Sequence, residues 1–227
     1  MIRRLLSLAW KIAVVVVLIP VILVPLYTAV TPVSTLMLWR WATGERVVRE
    51  WRPLEAIAPE LVRAVIVGED ARFCAHRGVD WGELREALEE VDDLADARGA
   101  STIAMQTAKN LFLWPGRQYL RKALEVPIAY YINLVWSKRR IIEVYLNTAD
   151  WGPNGEFGAE AGARRAFRKS ARALTAGEAA LLAAVLPNPA RRDAARPGRM
   201  LSGIAARRLT VTMRNGTAAA ACVYAAR

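Results

Sequence analysis

Residues 12–39 carry no ionisable side chain except Tyr27, and no other stretch constrains the chain so strongly. A bilayer core takes about 20 apolar residues as a helix, and residues 5–27 are long enough to span one. Pro20 and Pro25 fall inside the run, but transmembrane helices tolerate proline better than soluble ones. A cleaved signal peptide is the competing reading, with an apolar part of only about 7–15 residues. The longer run favours an uncleaved anchor. Its orientation stays open, because Arg3, Arg4 and Lys11 precede it while Arg40, Arg46, Arg49 and Arg52 follow.

Beyond the anchor, 227 residues leave room for one domain of ordinary size. Residues 40–58, with Trp41 and Trp51, read equally well as a segment lying on the bilayer surface or as a plain linker. Pro59 opens the first domain helix, whose apolar residues Leu61, Val62, Val65 and Ile66 lead to the adjacent carboxylates Glu69 and Asp70. Burial at such a helix end can raise a carboxyl pKa toward the range where acid–base catalysis works. A solvated helix end is the commoner outcome for a Glu-Asp pair. His76, the single histidine, follows seven residues after Glu69.

Asp80 and Glu83 form a capping-box pattern for a second helix. Leu84, Leu88, Val91 and Ala95 make its apolar stripe, and Glu86, Glu89, Glu90, Asp92 and Asp93 a solvated face. After Gly99, Ser101 or Thr102 can cap a third helix, which places Thr102, Gln106 and Lys109 on one face. A hydroxyl, an amide and an ammonium there suit an anion or a sugar. An amphipathic surface stripe is the plainer alternative. Past a turn at Pro115-Gly116, Arg121 and Glu125 stand one turn apart and read as a surface ion pair. Pro127 is expected to kink or restart that helix.

Residues 137–147 read as a helix whose basic first turn (Lys138, Arg139, Arg140) opposes the helix dipole. Such a broken local rule hints at function. A glycine-rich loop is expected over residues 151–162. Thr175 and Glu178 form a second capping box, opening a helix that stops at Pro187. The alanine-rich end of the chain, residues 215–227, suggests no function. Nearly every segment has helical period, so a mostly α fold is expected.

The balance of 32 Lys and Arg against 21 Asp and Glu, a net charge of +11, favours an anionic partner. The basic clusters lack the aromatic or cysteine–histidine spacing of nucleic-acid motifs. In the last of them, residues 191–208, Arg207 and Arg208 read as surface basics. Two cysteines, Cys74 and Cys222, allow at most one bridge, leave the redox compartment undecided and, with one histidine, argue against a zinc site.

Taken in order, Glu69-Asp70-Ala71-Arg72-Phe73-Cys74-Ala75-His76, Gly99-Ala100-Ser101-Thr102-Ile103-Ala104-Met105-Gln106, Arg121-Lys122-Ala123-Leu124-Glu125 and Lys138-Arg139-Arg140-Ile141-Ile142-Glu143-Val144-Tyr145-Leu146-Asn147 resemble the glycosyltransferase motifs of peptidoglycan polymerases. These are the transglycosylase domains of class A penicillin-binding proteins and their monofunctional relatives. The resemblance runs over residues 51–189, and the absence of room for a transpeptidase domain points to the monofunctional branch.

The resemblance implies a lysozyme-like, mostly α domain on one N-terminal transmembrane helix in the inner (plasma) membrane, with the catalytic domain periplasmic or otherwise extracytoplasmic. The implied organisation is a cytoplasmic tip and anchor (1–39), an interfacial linker (40–58), the glycosyltransferase domain (59–200) and a C-terminal segment without assigned structure (201–227). The implied donor is an undecaprenyl-diphosphate-linked glycan strand and the acceptor is lipid II. Cell-wall synthesis or division proteins are admitted as partners, nucleic acid is not.

By the same resemblance Glu69 matches the general base, and Glu125 the second glutamate, on the leaving-group side. Asp70, Phe73 and His76 match residues shaping the site. Ser101, Thr102, Gln106, Lys109 and Arg121 match groups that hold substrate, the two cations on its diphosphate. Met105 stands where the family usually has a glutamine and is expected to pack under Gln106. No cofactor is implied beyond Mg or Mn ions carried by the diphosphate, for which the sequence offers no protein cage. The rival functions are a lysozyme-like hydrolase or lytic transglycosylase, which needs no Lys109/Arg121 pair, and a membrane-anchored scaffold, which has no use for Glu69.

Overall fold

The computed structural model describes residues 2–89, 101–114, 119–186 and 188–225. Val91, Ala95, Glu90, Asp92 and Asp93 of the expected second helix lie outside the described residues, as do Gly99-Ala100, Pro115-Gly116 and Pro187. The side chain of Leu88 does too.

Helix α1 (Ile2–Leu26) runs straight through Pro20. Its C-terminal end meets the rest of the chain, where Tyr131 Oη donates to the Val21 carbonyl (3.2 Å) and Trp136 Nε1 to that of Val24 (2.7 Å). Among the described side chains of this helix most apolar ones, Trp10, Val17, Leu18 and Ile22 among them, are exposed. Among the described residues no helix is long and apolar enough to cross a membrane, so the span expected over residues 5–27 is not supported by that measure. Helix α2 (Thr35–Ala42) is capped by Ser34 and leaves Leu38, Trp39 and Trp41 exposed.

The domain core forms around α3 (Pro59–Glu69). Pro59 occupies the first turn, where its missing N–H costs nothing, and Leu61, Val62, Val65 and Ile66 are buried. Asp80 Oδ1 accepts from the amides of Gly82 (3.1 Å) and Glu83 (3.3 Å), starting α4 (Trp81–Glu89) as the capping pattern predicts. Thr102, not Ser101, caps α5 (Ile103–Phe112) by accepting from Met105 N at 3.1 Å. Helix α6 (Tyr119–Val135) neither stops nor restarts at Pro127. The proline removes one backbone hydrogen bond, and burial of Ala129 and Ile132 in the core offsets that loss. Ser137 caps α7 (Lys138–Thr148).

The glycine-rich loop is more regular than its composition suggests. It contains strand β2 (Glu156–Phe157), which pairs in parallel with β1 (Val48–Arg49), and the start of α8 (Ala159–Phe167). Gly162 lies inside α8 because a Cβ there would sit 2.7 Å from Trp151 Cβ. Thr175 and Glu178 complete their reciprocal capping box at α9 (Ala176–Ala183), which ends three residues before Leu186, where the chain turns instead. The C-terminal segment is ordered as α10 (Arg199–Ala219) and α11 (Ala221–Tyr224). Helix α10 packs along α3 and α9, and a Cys74–Cys222 disulfide fastens the last turn to the loop after Asp70.

Candidate active site

Helix α3 ends on Glu69, and Asp70 is its C-cap. The two neighbouring carboxylates have different surroundings. Asp70 Oδ2 accepts from Ile103 N (2.9 Å) at the start of α5, where the helix dipole favours an anion. Its Oδ1 accepts from His76 Nε2 at 2.8 Å. His76 Nδ1 in turn accepts from Gly78 N (3.2 Å), so the tautomer with its proton on Nε2 satisfies both contacts. Gly78 has φ +94°, and a Cβ on it would lie 2.5 Å from the Ala129 carbonyl oxygen. Only glycine lets the loop pass so close to α6. Phe73 is fully buried, edge-on to His76, with Lys138 Nζ 4.6 Å above its ring.

Glu69 is held differently. Its Oε2 accepts from Gln106 Nε2 (3.3 Å) and its Oε1 from Arg208 Nη2 (3.1 Å), with 5% of its side chain exposed. Gln106 Oε1 accepts from the buried Tyr145 hydroxyl (2.9 Å), which fixes the amide with its nitrogen toward the carboxylate. Burial raises the Glu69 pKa above the ordinary glutamate value, against the opposing pull of Arg208, Gln106 and Arg192.

The expected one-face set on α5 divides. The Thr102 hydroxyl donates to the Gly78 carbonyl (2.6 Å) while capping its helix, so it is engaged within the protein. Met105 is fully buried. Gln106 and Lys109 reach a cleft of about 420 Å³ together with Arg121, Tyr145 and Asp150. Burial lowers the Lys109 pKa, Glu125 being the main opposing influence. It also raises that of Asp150 to about 6.

The Arg121–Glu125 pair is not the surface pair its spacing suggests, with side chains 12% and 4% exposed. Lys122 contacts Glu125 Oε2 at 3.4 Å and also binds the Ser101 hydroxyl. Arg121 Nε is buried with no hydrogen-bond partner among the described residues. A larger cavity of about 690 Å³, near Thr28, Trp136 and Tyr224, contains none of the expected site residues.

The basic first turn of α7 finds its compensation in tertiary contacts. Lys138 Nζ donates to the His76 carbonyl (2.7 Å), and its pKa falls to about 8, chiefly through burial. Arg139 pairs with Glu55, and Arg140 with Glu143 and the carbonyls of Tyr27 and Val30. Two site residues escaped the sequence reading. Tyr145 looked like an ordinary helix position, and Arg208 like a surface basic. Arg208 is only 10% exposed in its side chain and is clamped on Glu69, whereas Arg207 is exposed. The available signal was periodicity: Leu201, Ala205, Arg208 and Gly216 share one face of α10, and the other three are buried.

The site coincides with a recognised family. A family model described as Transglycosylase matches residues 37–214. Proteins named biosynthetic peptidoglycan transglycosylase are similar over most of their lengths. That of Nitrobacter winogradskyi is 56% identical over 181 residues, 80% of each chain. That of Rhodopseudomonas palustris strain HaA2 is 54% identical over 197 residues, covering 86% of this chain and 87% of the relative. That of Brucella suis biovar 1 is 51% identical over 201 residues, covering 88% and 89%. With the family model matching residues 37–214, well over half of its length, the chain belongs to the transglycosylase family.

Proposed function

We propose that the protein is a peptidoglycan glycosyltransferase that polymerises lipid II, with Glu69 as general base. The acceptor sugar's 4-hydroxyl gives its proton to Glu69 as its oxygen bonds to the donor's anomeric carbon. The bond from that carbon to diphosphate breaks with inversion, and the electron pair leaves on the diphosphate. The observation that carries this reading is a buried carboxylate with a raised pKa hydrogen-bonded to Gln106, a residue that lines one cleft with Lys109 and Arg121. A base needs a pKa nearer the working pH, and a departing diphosphate needs cations already in place.

The unpartnered Arg121 Nε supplies a donor for a phosphate oxygen. Glu125, between Arg121 and Lys122, keeps those cations in position. A hydrolase of lipid-free glycan would have no use for this cationic wall. Among the described residues no group of three or more His, Cys, Asp or Glu could hold a metal. No step is assigned to Mg or Mn.

In the same proposal α1 anchors the domain to the membrane, its exposed apolar face against lipid and the domain on the extracytoplasmic side. The cystine between Cys74 and Cys222 is in keeping with an oxidising compartment. Two measurements test the reading. Purified protein should convert lipid II to glycan strands with release of undecaprenyl diphosphate and leave lipid-free peptidoglycan intact. The full chain should stay with membranes in high salt. Digestion of lipid-free glycan would overturn the enzymatic assignment, and release by salt alone would overturn the anchor.

A further inference from the structure

Arg208 is the one cation that reaches Glu69 by a direct contact among the described residues, and nothing in the proposed chemistry requires it to touch substrate. Its guanidinium is held at three points. Nη1 donates to the Ala183 carbonyl (2.6 Å), and Nη2 to the Gly68 carbonyl (3.3 Å) and Glu69 Oε1 (3.1 Å). Two of these are backbone acceptors on different helices, so the charge is placed by the packing of α10 against α3 and α9.

The sequence also makes room for it. A Cβ on Gly68 would lie 2.1 Å from Arg208 Cζ, so any side chain there would displace the guanidinium. Glycine inside a helix is less favourable than alanine, and here it lets a cation lie beside the final carboxylate. Beyond Arg208, the same arm is tied by the Cys74–Cys222 disulfide to the loop that carries Asp70 and His76.

We propose that Arg208 is a positioning residue for glycosyl transfer: anchored on the Gly68 and Ala183 carbonyls, it holds Glu69 ionised and aimed within a buried site. The proposal rests on Glu69 being the general base. A buried carboxylate without a counter-charge takes up a proton and is then no base at all. Arg208 opposes that from Oε1, while the neutral Gln106 amide orients Oε2. The other groups facing Glu69 are Arg192 and Lys109, whose charges favour its ionised form, and Tyr145, whose neutral hydroxyl is turned to Gln106. Arg192 is itself held on the Ala184 and Leu186 carbonyls (3.1 and 2.7 Å). Arg208 alone among the cations makes the hydrogen bond.

The test is the pH dependence of kcat/KM for lipid II polymerisation in wild type, Arg208→Ala, Arg208→Lys, Gly68→Ala and the neighbouring Arg207→Ala, with Glu69→Gln in the same assay. Loss of an adjacent opposite charge moves a carboxyl pKa by about 1–3 units. The acid limb should therefore move up by about 1 pH unit or more in Arg208→Ala and in Gly68→Ala. Arg208→Lys should restore most of that displacement, and Arg207→Ala should superimpose on wild type. A residue that only braces the fold would lower the rate at every pH and leave the limb in place, and that result overturns the proposal. If Arg208→Ala does not fold, Gly68→Ala, which keeps the arginine but moves it, decides by the same criterion. Wild-type polymerisation by Glu69→Gln would instead remove the general base itself. An inactive Glu69→Gln with unmoved limbs would remove only the role of Arg208.

Discussion

Two buried glutamate–arginine pairs belong to the candidate site, and they are built in different ways. Glu125 and Arg121 are one turn apart on α6, and Lys122 on the same helix adds a second cation. Glu69 and Arg208 are 139 residues apart on α3 and α10, with a neutral amide completing the carboxylate's contacts. The first arrangement over-supplies positive charge and leaves an arginine N–H without a hydrogen-bond partner among the described residues. It suits an anionic leaving group. The second gives one carboxylate one cation, and burial still keeps its pKa above the ordinary value. That balance suits a base, which must be ionised yet ready to accept a proton. Both are salt bridges on paper, and only the number and chemistry of the partners separate their roles.

The comparison breaks first if Glu69 is dispensable. Glu69→Gln keeps size and hydrogen bonding but cannot take the proton. Turnover should fall by about 10²–10⁴-fold, with lipid II binding retained in a direct binding measurement. Because burial raises the Glu69 pKa, wild-type kcat/KM should fall with acid through a pH above the usual glutamate range. The carboxylate must be deprotonated to act.

On the cationic side, Lys109→Ala and Arg121→Ala should each lower kcat by about 10²–10³-fold, the typical cost of losing one preplaced group at developing negative charge. Arg207→Ala is the proper surface control. Arg208, which resembles it in sequence, is not, since it belongs to the other pair. Equal small losses at Lys109, Arg121 and Arg207 would mean that charge acts only in general, as on an anionic membrane.

A third measurement asks whether the arm that carries Arg208 depends on its covalent tie. Cys222→Ser opens a loop closed over 148 residues and should lower unfolding stability by about 2–4 kcal/mol, read by denaturant titration. Helix α10 remains packed on α3, so the acid limb of the pH profile should not move. A moved limb would show that the disulfide, and not the helix packing, places Arg208.

The smallest effect is expected at the other carboxylate. Glu125→Gln should slow polymerisation by at most about 10²-fold, the low end of effects at acid–base sites, and leave the acid limb where it was. A limb displaced by this change would make the two carboxylates a single titrating unit and erase the distinction between them.

Much of this molecule was legible from local pattern. Pro59 at the start of α3, Asp80 at α4, the reciprocal box of Thr175 and Glu178, and the Arg121–Glu125 spacing each involve residues within four positions. In a helix that spacing fixes who can meet whom, whatever the rest of the chain does. The ordered motifs likewise pointed to the family that the family model matches over residues 37–214. Tertiary structure decided the rest. It kept α6 intact through Pro127, drew two residues of the glycine-rich loop into a strand, and put helix α10 against α3. It also turned the supposed surface pair of α6 inward. Arg207 and Arg208 are chemically identical neighbours, and a helix rotates successive side chains by about 100°. Which of the two faces solvent, and which lies against Glu69, is settled only when α10 is laid along α3.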